Sequence, residues 1–298
     1  MGKDESVSMD SDIVLAMEDI TKIYDNGFVA NKDINFQLRR GEIHGLLGEN
    51  GAGKTTLMKV LFGHERPEKG RILLNGTEVH IESPLQAIEL GIGMVHQHFM
   101  LVNSLSVAEN MVLGAEPTSS KVLFDRKKAI ELTKETAKKF NLPIDPNAII
   151  KDLSVGYKQR VEILKVLLRG VRILILDEPT AVLTPQETDE LFEQLIELKK
   201  QNYTIVFISH KLQEVKQICD RITVLRLGQT VGQANVEDVS IQDISRMMVG
   251  RDVILDIEKK KAQPKQPVLQ VRNLVHINKF GVRAINDISF DVRAGERV

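Results

Sequence analysis

The chain has 298 residues, room for one large α/β domain plus a remnant or for two modest domains. It is 42% hydrophobic and 27% charged with a net charge of −1, so no global basic field recruits nucleic acid or acidic lipid, and near-neutrality favours association with other subunits. No apolar run approaches the roughly 20 residues of a membrane-spanning helix, the acidic start is no signal peptide, and the single Cys219 cannot form an internal disulfide; a cytoplasmic location is expected, with Cys219 buried on a helix.

From the amino end, residues 1–11 read as a disordered tail. Leu15 to Ile20, Ile34 to Leu38 and Ile43 to Leu47 are short β-type runs. The third leads into Gly48-Glu49-Asn50-Gly51-Ala52-Gly53-Lys54-Thr55, which fits GxxxxGK[ST] in full between an apolar strand and a helix beginning at Lys54. Glycines here let backbone N–H groups turn inward around a phosphate, and the helix start adds the positive end of its dipole. Lys54 places a positive charge on the β and γ phosphates, and the Thr55 hydroxyl can ligate Mg²⁺. A glycine-rich turn with an accidental lysine would lack the flanking strand and helix.

Ile72 to Leu74 is a further strand, and the stretch from about 96 to 169 carries helical patterns and few strands, a helical insertion. Ile173 to Leu176 then reads as a buried strand ending in Asp177-Glu178. Beside the phosphate loop, Asp177 can hold the hydration shell of Mg²⁺ and Glu178 can polarise an attacking water. Acids after an apolar strand are common; the phosphate loop gives this pair its meaning. A helix over Gln186 to Lys200, with Leu191, Leu195 and Leu198 on one face, precedes strands at Thr204 to Ile208 and Ile222 to Leu225. Such alternation means a parallel sheet covered by helices, an α/β fold.

The remaining set is Tyr24 upstream of the loop, Gln97 at the entry to the insertion, Leu153-Ser154-Val155-Gly156-Tyr157-Lys158-Gln159-Arg160 one helix before the acid pair, and His210 after a strand. With these the sequence, from about Val14 to Leu227, resembles the ATP-binding subunits of ABC transporters. The resemblance implies a P-loop NTPase core with a parallel sheet, an N-terminal antiparallel β-subdomain and a helical insertion, using ATP and Mg²⁺. By resemblance Tyr24 stacks on adenine, and the loop through Thr56 holds the phosphates. Thr55, Gln97 and Asp177 serve the metal, with Gln97 also facing a membrane subunit. Ser154 and Gly156 belong to a signature loop that caps the γ-phosphate of an opposing ATPase domain. Glu178 positions the attacking water, and His210 holds the γ-phosphate. Departures are Val155 and Tyr157 in a signature more often written LSGGQ, and Thr184 where many relatives carry aspartate; they bear on whether two composite ATP sites are equally active. His44, His64, His80, His96 and His98 show no metal-ligand spacing with a cysteine.

The chain also repeats itself. Residues Val268 to Val298 align without gaps on Val14 to His44, with identities that include Gly27/Gly281, Asp33/Asp287, Phe36/Phe290 and Gly41-Glu42/Gly295-Glu296. The expected organisation is therefore a first domain over 12–250, a linker over 251–267 and the truncated start of a second domain over 268–298. Charge and prolines mark the linker as solvated, its Lys259 to Lys261 run included. The duplication, with stretches such as MVHQHFMLVNSLSVAEN and LILDEPTAVLTPQE, is similar to the fused two-domain ATPases of bacterial sugar and nucleoside importers, closest to the nucleoside branch. That likeness implies a second ABC ATPase domain, transmembrane permease subunits and, indirectly, an extracellular solute-binding protein as partners, no nucleic acid, and a peripheral place on the inner face of the cell membrane. Two other readings stand beside it, a tandem ABC ATPase acting on ribosomes and a nucleotide-binding module that does not hydrolyse. The short proline-bearing linker argues against the first, and Glu178 with His210 against the second.

Overall fold

The computed structural model describes residues 12–119, 123–250, 265–278 and 281–296. The expected tail (1–11) and most of the expected linker (251–264, with Lys259–Lys261) lie outside the described residues. Two compact units divide the chain, residues 1–253 and 254–298.

In the first unit, β1 (Ile13–Ile23) and β2 (Val29–Arg39) form an antiparallel ribbon. Both outrun the apolar runs that announced them, because main-chain pairing continues through polar residues on the outward face. The fully buried β3 (Ile43–Leu47) runs through the glycine-rich loop into α1 (Lys54–Leu61). β4 (Lys69–Leu74) and β5 (Thr77–Val79) turn at Asn75-Gly76, both at positive φ as a tight hairpin demands, and complete a four-stranded antiparallel sheet in the order β2-β1-β4-β5. α2 (Pro84–Glu89) starts on a Ser83 cap with proline in its first turn and leads to β6 (Ile92–Val95).

The stretch that follows is helical, as its periodicity indicates. α3 (Val107–Val112) opens on a capping box of Ser106 and Glu109. A minimal strand pair, β7 (Thr118–Ser119) and β8 (Leu123–Phe124), precedes α4 (Arg126–Lys139) and α5 (Val155–Leu168). Then come β9 (Ile173–Asp177), α6 (Pro185–Lys200), β10 (Thr204–Ile208), α7 (Leu212–Ile218), β11 (Arg221–Arg226), β12 (Gln229–Asn235) and α8 (Ile241–Val249). Cys219 caps the end of α7 and is buried.

The central sheet has the order β12-β11-β3-β10-β9-β6, parallel except for β12. β3, β9 and β10 are buried at every position, which explains their unbroken apolar sequences. One face packs on helices through Leu164, Leu191, Leu195 and Phe207; the other packs on α1 and the β1–β2 ribbon through Leu57, Met58, Ile34 and Phe36. Because β3, β10 and β9 are parallel neighbours, their carboxyl ends emerge at one edge, and the loops that follow them meet there.

The second unit is an antiparallel hairpin of β13 (Pro267–Ile277) and β14 (Arg283–Arg293). Its pairs reproduce those of β1 and β2 at a constant offset: Leu15↔Leu38 becomes Leu269↔Val292, and Ile20↔Ile34 becomes Leu274↔Ile288.

Candidate functional site

The loop after β3 is tight because its neighbours leave no room. A Cβ at Gly48 would clash with the Leu225 carbonyl, which fixes glycine there. Lys54 begins α1 and is buried; its Nζ donates to the Gly48 carbonyl at 2.7 Å and the Glu49 carbonyl at 3.0 Å, curling the loop around the ammonium. Burial pushes the Lys54 pKa down, while Glu178 and Asp177 hold it up.

Asp177 closes β9. Burial pushes its carboxyl above the ordinary range and Glu178 adds to the effect, opposed by the Thr55 bond and by Lys54. The Thr55 hydroxyl donates to Asp177 Oδ2 at 3.4 Å, so a hydroxyl and a carboxylate present hard oxygens side by side. Glu178 sits at φ 47°, the left-handed region that glutamate seldom enters, with its N–H on the Ile208 carbonyl at 3.0 Å. Its carboxylate accepts from two partners, His210 Nδ1 at 3.0 Å and Gln97 Nε2 at 3.5 Å. A carboxylate only accepts, so the proton of that contact lies on Nδ1. The ends of β9 and β10, the residue after His96 and the start of α1 thus converge on one carboxylate pair.

A cavity of about 370 Å³ opens over this cluster, walled by Asn50 to Thr56 of the loop, Gln97, Asp177 and Glu178, with Phe28 and Ala30 from the ribbon. Tyr24 is not on its wall. The Tyr24 hydroxyl lies 3.3 Å from Thr56 Oγ1, and Lys22 Nζ stands 5.6 Å from the ring centroid. The aromatic on the cavity wall is instead the exposed Phe28, the alternative stacking residue to Tyr24.

Ser154 and Gly156 stand apart from Lys54, at the start of α5. Ser154 Oγ accepts from the Tyr157 N–H and donates to Glu187 Oε1 at 3.3 Å; the Gly156 N–H donates to the same oxygen at 3.0 Å. Glu187 Oε2 accepts from the Thr184 N–H and hydroxyl, each at 3.1 Å. Those bonds hold the Glu187 carboxyl below the ordinary range, the Thr184 N–H foremost. The signature loop and Thr184 are therefore joined through one glutamate that sequence reasoning missed, although the Thr-x-x-Glu spacing of a capping box was there to find it.

The profile of the ABC transporter family matches residues 31–181, from β2 through the acid pair. The chain belongs to the ABC transporter family. It is 46% identical over 290 residues to the nucleoside import ATP-binding protein NupA of Lactococcus lactis, covering 97% of this chain and 57% of that one. It is 45% identical over 311 residues to the glucose import ATP-binding protein TsgD13 of Haloferax volcanii, covering 95% and 56%. The chain thus spans about half the length of the curated relatives it matches. Among solved structures it is similar to cbiO1 of Clostridium perfringens, part of an ABC transporter complex, at 30% identity and a TM-score of 0.67, covering 80% of this chain and 95% of that one. The fold is that of the ABC ATPases. No helix is long and apolar enough to cross a membrane among the described residues, and none of their His, Cys, Asp and Glu side chains cluster in threes fit to hold a metal ion. Mg²⁺ needs no such cluster, since it takes one or two protein oxygens together with phosphate and water. Thr55 and Asp177 fit that demand.

Proposed function

We propose that the first unit binds Mg²⁺–ATP in the 370 Å³ cavity and hydrolyses it to drive import of a nucleoside or simple sugar through separate permease subunits. The observation that carries the reading is the convergence of Lys54, Thr55, Asp177, Glu178, Gln97 and His210 on one edge of the sheet. Lys54 and the loop N–H groups neutralise phosphate charge, Thr55 and Asp177 hold Mg²⁺, and Glu178 takes the proton of the attacking water while His210 fixes its carboxylate. Mg²⁺ supplies charge neutralisation at the β and γ phosphates. Tyr24 or Phe28 provides the face for adenine.

Ser154 and Gly156 share no cavity with Lys54, which supports completion of the site by a second ABC domain. A separate groove of about 340 Å³, apolar at Phe62, Leu85, Met94 and Val166, supports permease docking on the cytoplasmic face of a membrane. His96 lines that groove and Gln97 lines the nucleotide cavity, so adjacent residues look into the two places that transport must couple. The relatives are import subunits, which favours this reading over ribosomal action and over passive nucleotide binding. Glu178→Gln keeps the shape and removes the charge; it is expected to bind ATP and to release phosphate at least ~100-fold more slowly than the parent protein. Parental turnover in that variant, with the partner domain present, overturns the assignment.

A further inference from the structure

β2 passes behind the phosphate loop, and three consecutive residues of it touch the loop or its support. A Cβ on Gly53 would clash with the Ala30 carbonyl and with Asn31 Nδ2. The Lys32 N–H donates to the Gly228 carbonyl at 2.8 Å, and the Gly228 N–H donates to the Ala52 carbonyl at 3.2 Å. Between them the side chain of Asn31, fully buried, donates from Nδ2 to the Gly53 carbonyl at 3.1 Å.

That carbonyl is the one on which α1 begins. It also accepts the Leu57 N–H at 2.9 Å, the first helical bond, and Gly53 itself stands at φ 98°, ψ 3° with no side chain capping the helix. Asn31 does from a neighbouring strand what a cap does from within the chain: it fixes a terminal peptide whose orientation sets the next turn. The next turn carries Lys54 and Thr55.

Two observations separate this role from mere packing. Asn31 Oδ1 is buried without a partner, and turning the amide over would set oxygen against the Gly53 oxygen, so the orphan is a consequence of the bond to the loop. An unpaired buried carbonyl oxygen destabilises a fold. The hairpin, moreover, does not need asparagine. In the repeat the corresponding residue is Ile285, and the pair His276↔Ile285 keeps the register of Lys22↔Asn31. The strand pairs in the same register with an apolar residue there.

We infer that Asn31 is a positioning residue for nucleotide binding, holding the Gly53 peptide so that the first turn of α1 presents Lys54 and the loop N–H groups to the phosphates. The inference rests on the ATP-site reading above. Its test uses the 298-residue chain, titrated with Mg²⁺–ATP in a calorimeter, with local hydrogen exchange of residues 49–57 followed by mass spectrometry. Asn31→Leu removes the donor together with the orphaned acceptor and adds no charge; Asn31→Asp keeps the shape but exchanges the donor for a second acceptor and adds a negative charge. Both are expected to weaken ATP binding at least tenfold and to speed exchange in 49–57 while β9 and β10 exchange as before. Asn31→Leu is expected to hold or raise the melting temperature. Should Asn31→Leu fail to fold, Asn31→Asp carries the test. ATP affinity within twofold of the parent in either folded variant overturns the inference, as does faster exchange spread evenly over the first unit. Lys54→Ala distinguishes the two readings: if it too leaves affinity unchanged, the ATP site is misassigned, whereas its loss beside an unaffected Asn31 variant refutes the role of Asn31 alone.

Discussion

The β1–β2 ribbon and the β13–β14 hairpin are one local structure in two surroundings. Their pairings match residue for residue, and positive φ recurs at Asp19/Asn273, Gly27/Gly281, Asp33/Asp287 and Gly41/Gly295. Even the turn bonds repeat: Tyr24 N–H to Phe28 O and Asn278 N–H to Val282 O are both 2.9 Å, and Glu42 and Glu296 each accept from the arginine N–H three residues earlier. Yet Leu15, Ile34 and Phe36 have no exposed surface, whereas Leu269, Ile288 and Phe290 are 49%, 46% and 43% exposed. The two copies therefore share one hairpin path although only the first is covered in this structure. Burial comes from elsewhere: α1 covers the first ribbon with Leu57, Met58 and Leu61, and the central sheet adds Ile175, Val206 and Ile208 to the same core.

The comparison can be broken most forcefully in the core. Phe36→Ala is expected to destabilise the first unit by about 3–5 kcal/mol, since the whole ring is enclosed. Phe290→Ala is expected to move the main unfolding transition by no more than about 0.5 kcal/mol. Urea unfolding of the two variants checks this, and equal losses would mean that the second hairpin is buried as deeply as the first.

A smaller effect distinguishes the aromatic positions. Tyr24 corresponds to Asn278, and Phe28 to Val282, so the second copy lacks both candidate faces for adenine. Tyr24→Ala is expected to weaken ATP binding by about 1–3 kcal/mol and Tyr24→Phe to change it little. If Tyr24→Ala is silent and Phe28→Ala is not, the cavity-lining Phe28 is the platform.

The mildest effect is one of pH. His44, fully buried behind the ribbon, bonds Glu42 Oε1 at 3.1 Å and Thr223 Oγ1 at 2.8 Å, while Arg221 pairs with Glu42 at 3.2 Å. Burial pushes the His44 pKa down. Burial would raise Glu42, but the bonds from His44, from Arg39 N–H and from Arg221 outweigh it and hold its carboxyl low. Both groups bind protons more weakly folded than unfolded. The stability they contribute is complete above the unfolded histidine value of about 6.5 and falls as pH drops, His44 acting first and Glu42 below about 4.5. Melting temperature against pH is expected to slope downward between about pH 6.5 and 4, and His44→Gln is expected to flatten the upper part of that slope. A pH-independent melting temperature over this window contradicts the assignment.

Much of the site was legible because it is written in short, contiguous strings. The phosphate loop and Asp177-Glu178 each sit at the end of an apolar strand, and buried parallel strands announce themselves by unbroken hydrophobicity. Ser154 and Gly156 were legible as a motif, but their bonds to Glu187 were not, since a reading along the chain does not show which carboxylate reaches across 31 residues to a backbone N–H. Asn31 carried no signal at all. A polar residue in a strand pattern reads as an outward-facing position, and only the packing of β2 against Gly53 turns it inward.

Local chemistry by itself determined the strands, the loop that can receive phosphate, the acid pair and the repeat, because turn geometry, strand propensity and the P-loop pattern act over a few residues. The tertiary structure alone decided which groups meet. It set Gln97 and His210 on the two oxygens of Glu178, placed Phe28 rather than Tyr24 on the cavity wall, tied the signature loop to Thr184 and brought Asn31 behind Lys54. These meetings depend on the order in which parallel strands stack in the sheet, and that order is fixed by burying both of its faces, a requirement of the whole domain rather than of any segment.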